Sequence, residues 1–246
     1  MKKIIVSICT LALAAALLGT STYAWFSMNK TVTAGSMEIK ATTDANLVIA
    51  KGASVELAGI TGTAVTDLGV SATAVTPCDL TDATGTVTVK YPETYTTDPT
   101  VGSAGSGATW KEIGTITNTT VSDEKVKGYV AVGYVTIARK QTKTDGVYKI
   151  TPSCTVTCDK ASNLNKAMRA GLIINGKLYE SNDANSTGDT AITFTFSDVT
   201  GLADNTAYSV ALLLWFEGED SDCYANNAVD LSKNTANWTF TSADNA

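Results

Sequence analysis

The sequence predicts an all-β protein, mainly β with one short helix, that folds as a jelly-roll-like antiparallel β-sandwich. Short apolar or alternating runs recur at a spacing of about ten residues, with Gly, Asn and Asp between them, which is typical of sandwiches and barrels. These runs do not alternate with long helices, and no Gly-rich nucleotide-binding motif is present, which argues against Rossmann and P-loop folds. Hydrophobic residues make up 44% of the chain, enough to form a core.

The N-terminus has the features of an export signal. Lys2 and Lys3 precede an apolar stretch, Ile4–Gly19, that is short for a spanning helix of about 20 residues. Small residues then lead to Ala24, and we expect cleavage between Ala24 and Trp25. An uncleaved membrane anchor is the alternative, because the apolar character continues into the two aromatic residues after Ala24.

The domain organisation follows from this boundary. Residues 1–24 are predicted to be the signal peptide, and residues 25–246 a single β-sandwich domain. An extended arm at 25–35 precedes the first strand, and a decorated insert is expected around 53–110. Residues 60–84 are rich in Thr, Ala and Gly, and their pattern does not define an order of strands.

In the first half, a strand is predicted at Met37–Ala41 and another at Gly85–Tyr91. The apolar runs at 46–50 and 53–57 flank Lys51-Gly52, which suggests a hairpin.

The second half is clearer. Strands are predicted at Val126–Lys140, Gly146–Cys158, Thr190–Val199, Ala207–Phe216 and Asn237–Thr241. The first of these is apolar on both faces for part of its length, as in the inside of a sandwich, and Ala207–Phe216 is predicted to be a central strand. Asn175-Gly176 predicts a type I′ hairpin turn, and Ala161–Arg169 is the candidate helix.

Composition excludes several classes of function. The chain has no histidine, so a Ser-His-Asp triad, an HExxH metalloprotease and a His-bearing zinc site are absent. With 18 Lys+Arg against 24 Asp+Glu, the net charge of −6 argues against nucleic-acid binding. Glu217 and Glu219 could serve a secreted hydrolase, but no cleft is indicated around them, and we expect no enzymatic activity.

Two stretches carry a family resemblance. Gly19–Ser27, followed by Thr33–Ile39, resembles the start of the TasA/camelysin family of secreted Gram-positive biofilm-matrix fibre proteins. Leu214–Cys223 is similar to a motif of the clostridial-type members. The resemblance implies a jelly-roll sandwich, a dedicated signal peptidase and assembly into extracellular fibres. Camelysin members are described as metalloproteases, an activity not expected here because histidine is absent.

The predicted function is therefore that of a secreted structural subunit of surface or biofilm-matrix fibres. Its partners would be other copies of itself, the signal peptidase and other matrix components, with membrane contact only through the leader. The alternative is a monomeric cell-surface adhesin or carbohydrate-binding module, in which function resides in a ligand site.

Strand addition is the predicted mode of assembly. An open sheet edge can accept an extended segment from a neighbour. The mature N-terminus suits this role, with its donor residues at Trp25, Phe26, Met28 and Val32. The same residues can also pack on their own domain or belong to an anchor.

Four cysteines follow the leader: Cys78, Cys154, Cys158 and Cys223. Cys154 and Cys158 lie about 13 Å apart on an intact strand, beyond the roughly 7 Å limit of a disulfide. Each can instead pair with Cys78 or Cys223, and buried free thiols are the alternative.

An acidic loop follows the predicted central strand. Its carboxylates, at Glu217, Glu219, Asp220 and Asp222, suggest a structural Ca²⁺ site, although the spacing does not match an EF-hand. A solvated acidic turn is the competing interpretation. No other cofactor is predicted.

Overall fold

A computed structural model describes residues 38–43, 47–68, 70, 76–93, 109–141, 146–159, 161–181, 188–223 and 234–244. All of them belong to the unit formed by residues 35–246. The predicted signal peptide (1–24) and arm (25–35) lie outside the described residues.

The described residues form strands β1 to β14 in three sheets. The strands are β1 (Glu38–Thr43), β2 (Leu47–Lys51), β3 (Ala64–Val65), β4 (Asp79–Ala83), β5 (Thr86–Pro92), β6 (Trp110–Ile116), β7 (Val130–Arg139), β8 (Val147–Thr157), β9 (Met168–Ile174), β10 (Lys177–Glu180), β11 (Ala191–Thr195), β12 (Val199–Ala203), β13 (Tyr208–Phe216) and β14 (Thr235–Asp244).

Two large sheets make the sandwich. Sheet A has the order β11-β8-β14-β1-β3, with β12 also pairing with β8, and sheet B has the order β10-β9-β13-β7-β2. All pairs are antiparallel except β1 with β14. From β7 to β9, and again from β12 to β14, the chain crosses between the sheets at each connection, as in a jelly roll. The predicted all-β sandwich is confirmed.

The main core lies between sheets A and B. Trp238 of β14 is fully buried, and its ring stacks on Phe196 and Phe240 with centroids 5.3 and 6.5 Å away. Leu212 of β13 and Ile137 of β7 belong to the inner face of sheet B and are also fully buried. Because alternate residues of a strand point to opposite faces, these side chains account for only half of each strand.

A third sheet, β4-β5-β6, covers the other face of sheet B. Val87 and Val89 of β5 form a second apolar cluster with Ile173, Leu213 and Trp215 of sheet B. Sheet B is therefore a middle layer that is buried on both faces. This explains the uninterrupted apolar sequences of β7 and β13, and it confirms that Ala207–Phe216 contains a central strand, with β9 and β7 on either side.

Two type I′ turns join strands. Asn175 and Gly176 have φ of 51° and 69° and link β9 to β10, as predicted. Thr84 and Gly85, with φ of 51° and 85°, link β4 to β5, a hairpin that the sequence did not reveal. A Cβ atom at Gly85 would overlap the backbone of Gly176, so the two turns pack directly together.

Two local predictions are wrong. Lys51-Gly52 does not turn a hairpin, because β2 pairs with β7 and the following chain forms a 3-10 turn at Leu57–Gly59. The candidate helix Ala161–Arg169 contains only a 3-10 turn, Asn163–Ala167, because β9 begins at Met168 and pairs with β13. No helix in the described part of the chain is long and apolar enough to cross a bilayer.

Candidate functional site

Among the described residues, only part of the outer edge of β7 has a neighbouring strand. β7 has ten residues, whereas its neighbour β2 has five and pairs with Val135–Arg139 only. The last contact along this edge is a hydrogen bond from the Gly52 N–H to the Tyr134 carbonyl, 2.9 Å long. Within the described residues, no strand lies beside Val130–Gly133 on this side.

Half of the backbone N–H and C=O groups of Val130–Gly133 point away from β13, toward the side on which β2 lies. Because the carbonyl of Tyr134 faces the β2 side, and directions alternate along a strand, Val132 and Val130 also direct their N–H and C=O groups to that side. Ala131 and Gly133 direct theirs toward β13. Val130 and Val132 thus present two donors and two acceptors to an incoming strand, the feature that makes a sheet edge adhesive.

A cleft of about 370 Å³ lies along the same edge. Its apolar wall includes Leu68, Val70 and Val132. A Cβ atom at Gly133 would lie 3.0 Å from Leu68 Cδ1, so the absence of a side chain there lets Leu68 pack against β7. The cleft can hold the side chains of a segment whose backbone pairs with β7.

Polar side chains also line this cleft. Lys51 lines it at the end of β2, and Lys127, which is ion-paired with Glu124 at 2.7 Å, lines it from the 3-10 turn at Glu124–Gly128. The Tyr134 hydroxyl is buried without a hydrogen-bond partner among the described residues. Burial raises the pKa of Tyr134 to about 12, so the hydroxyl stays protonated and can donate.

The acidic loop is tied to the protein by its own contacts. Glu217 accepts hydrogen bonds from Trp215 Nε1 at 3.3 Å and from the Glu219 N–H at 3.2 Å, and burial raises its pKa. Asp220 is 2.5 Å from Arg169 Nη2, and Asp222 is 3.7 Å from Lys166 Nζ.

No group of three or more Asp, Glu or Cys side chains in the described ranges is placed to hold a metal ion. The calcium site at Glu217, Glu219, Asp220 and Asp222 therefore stays a prediction. A calcium-dependent rise in melting temperature, lost in an Asp220→Ala/Asp222→Ala variant, would support it.

A second group of carboxylates was not foreseen. Asp79 from β4 lies near enough to Glu180 of β10 and to Glu217 for its negative charge to act on both carboxylates. Burial raises the pKa of all three, and the negative charge of Asp79 further raises the pKa of both Glu180 and Glu217. Their separation in sequence hides this proximity, which depends on the third sheet.

The four cysteines Cys78, Cys154, Cys158 and Cys223 are free and buried. This is the buried-thiol alternative that the sequence left open. Burial raises the pKa of each thiol, that of Cys158 to about 11, which disfavours the reactive thiolate.

The remaining predicted site residues lie outside the described residues. These are the cleavage-site residues Ala24 and Trp25 and the donor residues Phe26, Met28 and Val32. Sequence patterns did not single out Val130 and Val132, whose position on an edge without a neighbouring strand among the described residues depends on β2 being shorter than β7. A long strand beside a short one is the relevant signal, but it appears only after the pairing partner is known.

The chain was compared with family models, curated proteins and solved structures. No family model matches the chain, and no curated protein matches it. Among solved structures, the protein described as "AvmM Catalyzes Macrocyclization in Alchivemycin A Biosynthesis" is 8% identical, over 37% of this chain and 57% of that chain, with a TM-score of 0.25. A likeness at that level carries no argument about fold or function.

Proposed function

We propose that the chain is a secreted structural subunit that assembles into extracellular fibres by strand addition. The arm of one mature copy lies along Val130–Gly133 of the next copy and places its apolar side chains in the adjoining cleft. The observation that carries this proposal is the backbone edge of β7 at Val130–Gly133, which has no neighbouring strand among the described residues and lies beside an apolar cleft.

The arm has a suitable sequence. In an extended segment, Phe26, Met28 and Val32 share one face, which only Lys30 interrupts. A lysine can keep its charged end in water while its stem lies along an apolar surface. The resemblance of the leader region to the TasA/camelysin family supports the same role.

Backbone pairing and side-chain burial contribute differently. The N–H and C=O groups of Val130 and Val132 give affinity that does not depend on the sequence of the incoming strand. The cleft walls fix its register, because a one-residue slip would turn the apolar side chains away from Leu68 and Val70.

Electron microscopy of variants tests the assembly. The mature protein is expected to form filaments, whereas a variant lacking residues 25–33 is expected to remain as discrete particles. Val132→Pro removes an edge-facing N–H at a position where proline is tolerated, and it should also abolish filaments. Val132→Ile keeps that N–H and is the matched control. Filaments that persist in both loss variants would contradict the proposal.

The leader and the rival function are tested separately. Mass spectrometry of secreted material should find Trp25 at the mature N-terminus, as expected for removal by a signal peptidase. A product that retains residues 1–24 would leave the arm tethered and unable to reach a neighbour. Discrete particles at every protein concentration would favour the monomeric adhesin or carbohydrate-binding module.

A further inference from the structure

The outer face of sheet A is an array of exposed and half-exposed hydroxyl groups. The inner residues of β8, β11 and β14 are buried, so their alternate residues point away from the core. We call the outward set the hydroxyl face; its members are Thr151, Ser153, Thr155, Thr157, Thr193, Thr195, Thr235, Asn237, Thr239 and Thr241. None of the described residues forms a layer over it, in contrast to the outer face of sheet B.

Strand register places these side chains in rows. Thr155 lies opposite Thr193 on one side and Asn237 on the other, and the next row joins Thr195, Ser153 and Thr239. Neighbouring rows are about 6.7 Å apart and neighbouring strands about 4.8 Å apart. The Thr155 and Thr193 hydroxyls are 3.5 Å apart. The face is therefore a regular lattice of groups that both donate and accept hydrogen bonds.

Threonine makes this lattice rigid. Its branched Cβ restricts χ1, so little side-chain entropy is lost when a ligand fixes the hydroxyl. The methyl groups between the hydroxyls provide apolar contact for the C–H surface of a ligand.

The charge of the face indicates what it can bind. Lys149 stands at one end of the face and pairs with Asp198 at 2.8 Å, and the register of β1 on β14 places Lys40 beside Asn237. The whole chain carries a net charge of −6. The molecule as a whole would thus repel an anionic polymer, whereas it would not repel a neutral one.

The size of the face argues against a simple dimer. Three strands over the length from Thr151 to Thr157 present about 300 Å², well below the roughly 800 Å² per partner of a stable interface. A single polysaccharide segment does not need an interface of that size, because a ligand buries far less surface than a protein partner does.

We propose that the hydroxyl face binds a neutral, hydroxyl-rich polysaccharide. The inference goes beyond fibre formation and does not require it, because each copy presents the complete face. Polymerisation would only strengthen binding through multiple contacts.

Binding to insoluble cellulose and chitin tests the proposal, with alginate as the anionic comparison. Wild-type protein should bind at least one neutral polymer and not alginate. Thr193→Glu/Thr239→Glu should abolish binding, and Thr66→Glu/Thr81→Glu adds the same charge at exposed threonines elsewhere and should bind like wild type. Thr193→Val/Thr239→Val keeps the branched shape and strand propensity and should bind about tenfold more weakly.

Three results would overturn the inference. One is that wild-type protein binds neither neutral polymer. Another is that the glutamate or valine face variants, folded by circular dichroism, bind as well as wild type. The third is a concentration-dependent dimer, formed without polysaccharide and lost in the glutamate face variant, because the face would then be a contact between copies. A failure of filament formation alone leaves this inference intact, so the two proposals can be separated.

Discussion

At the scale of single residues, the described charges divide into buried pairs and exposed ones. Arg139 is 6% exposed and Asp204 is 4% exposed, and they form two hydrogen bonds, from Nε at 2.6 Å and from Nη2 at 3.2 Å. Arg139 also contacts Asp244 at 2.7 Å, but that carboxylate is 90% exposed. The guanidinium lies over the Tyr148 ring at 4.6 Å.

Removing Asp204 should be much more costly than removing Asp244. Asp204→Asn leaves a buried guanidinium without its charge partner, which costs about 3–5 kcal/mol. Asp244→Asn removes an exposed partner and should cost less than about 1 kcal/mol. Urea unfolding of both variants measures the difference, and equal losses would show that the Arg139–Asp204 pair does not anchor this end of the sandwich.

The carboxylates around Asp79 make stability depend on pH. The pKa of Glu180 is raised by burial and by Asp79 and Asp82, so the folded state holds its proton more tightly than the unfolded chain does. Its contribution is therefore favourable at low pH and is lost as pH rises from the ordinary glutamate value of about 4.3 through the raised value. Glu180→Gln should flatten this fall in unfolding free energy, measured by urea titration between acidic and neutral pH. An unchanged pH profile would contradict the assignment.

At the scale of elements, the sequence predicts a turn or strand correctly where residues close together in the sequence determine its conformation. The Asn175-Gly176 turn could be predicted because both of its central positions need positive φ. The strands predicted at Gly146–Cys158 and Asn237–Thr241 lie in β8 and β14, although β14 is twice as long as predicted. The hairpin predicted at Lys51-Gly52 is wrong because β2 pairs with the distant strand β7. The helix predicted at Ala161–Arg169 is wrong because the end of this segment belongs to β9, which pairs with the distant strand β13. The cleft beside β7 depends on pairing register and relative strand length, which no local pattern encodes.

The hairpin at Thr84-Gly85 provides a test at this scale. Gly85→Ala places a Cβ at positive φ and against the Gly176 backbone, and should destabilise the protein by about 1–3 kcal/mol or more. Gly128→Ala is the matched control, because nothing lies within 4 Å of the added Cβ. Chemical denaturation compares the two, and similar stabilities would contradict the close packing of the turns.

At the scale of the whole molecule, three stacked layers protect four thiols without cross-links. In the native protein, Cys78, Cys154, Cys158 and Cys223 should resist alkylation by iodoacetamide, since they are buried and their pKa values are raised. All four should react after unfolding without a reductant. Mass spectrometry counts the labels, and a pair that reacts only after reduction would instead indicate a disulfide.

The surfaces of the three layers differ in whether other described residues cover them. In the part of the chain that the structure describes, the third sheet covers one face of sheet B, no layer covers the hydroxyl face of sheet A, and no strand lies beside β7 between Gly52 and the turn before Val130. Assembly through an edge leaves the broad outer face of each copy free. A fibre built in this way would display the hydroxyl face at every repeat.

The most direct test of fibre assembly locates the arm itself. A photo-crosslinker is placed at position 28 of the mature protein, and light and heavy isotope-labelled copies are mixed before polymerisation. We expect cross-linked peptides that join position 28 of one copy to Leu68, Val70 or Val130–Tyr134 of another. Cross-links only within one copy, or to another sheet edge of the neighbour, would contradict the account.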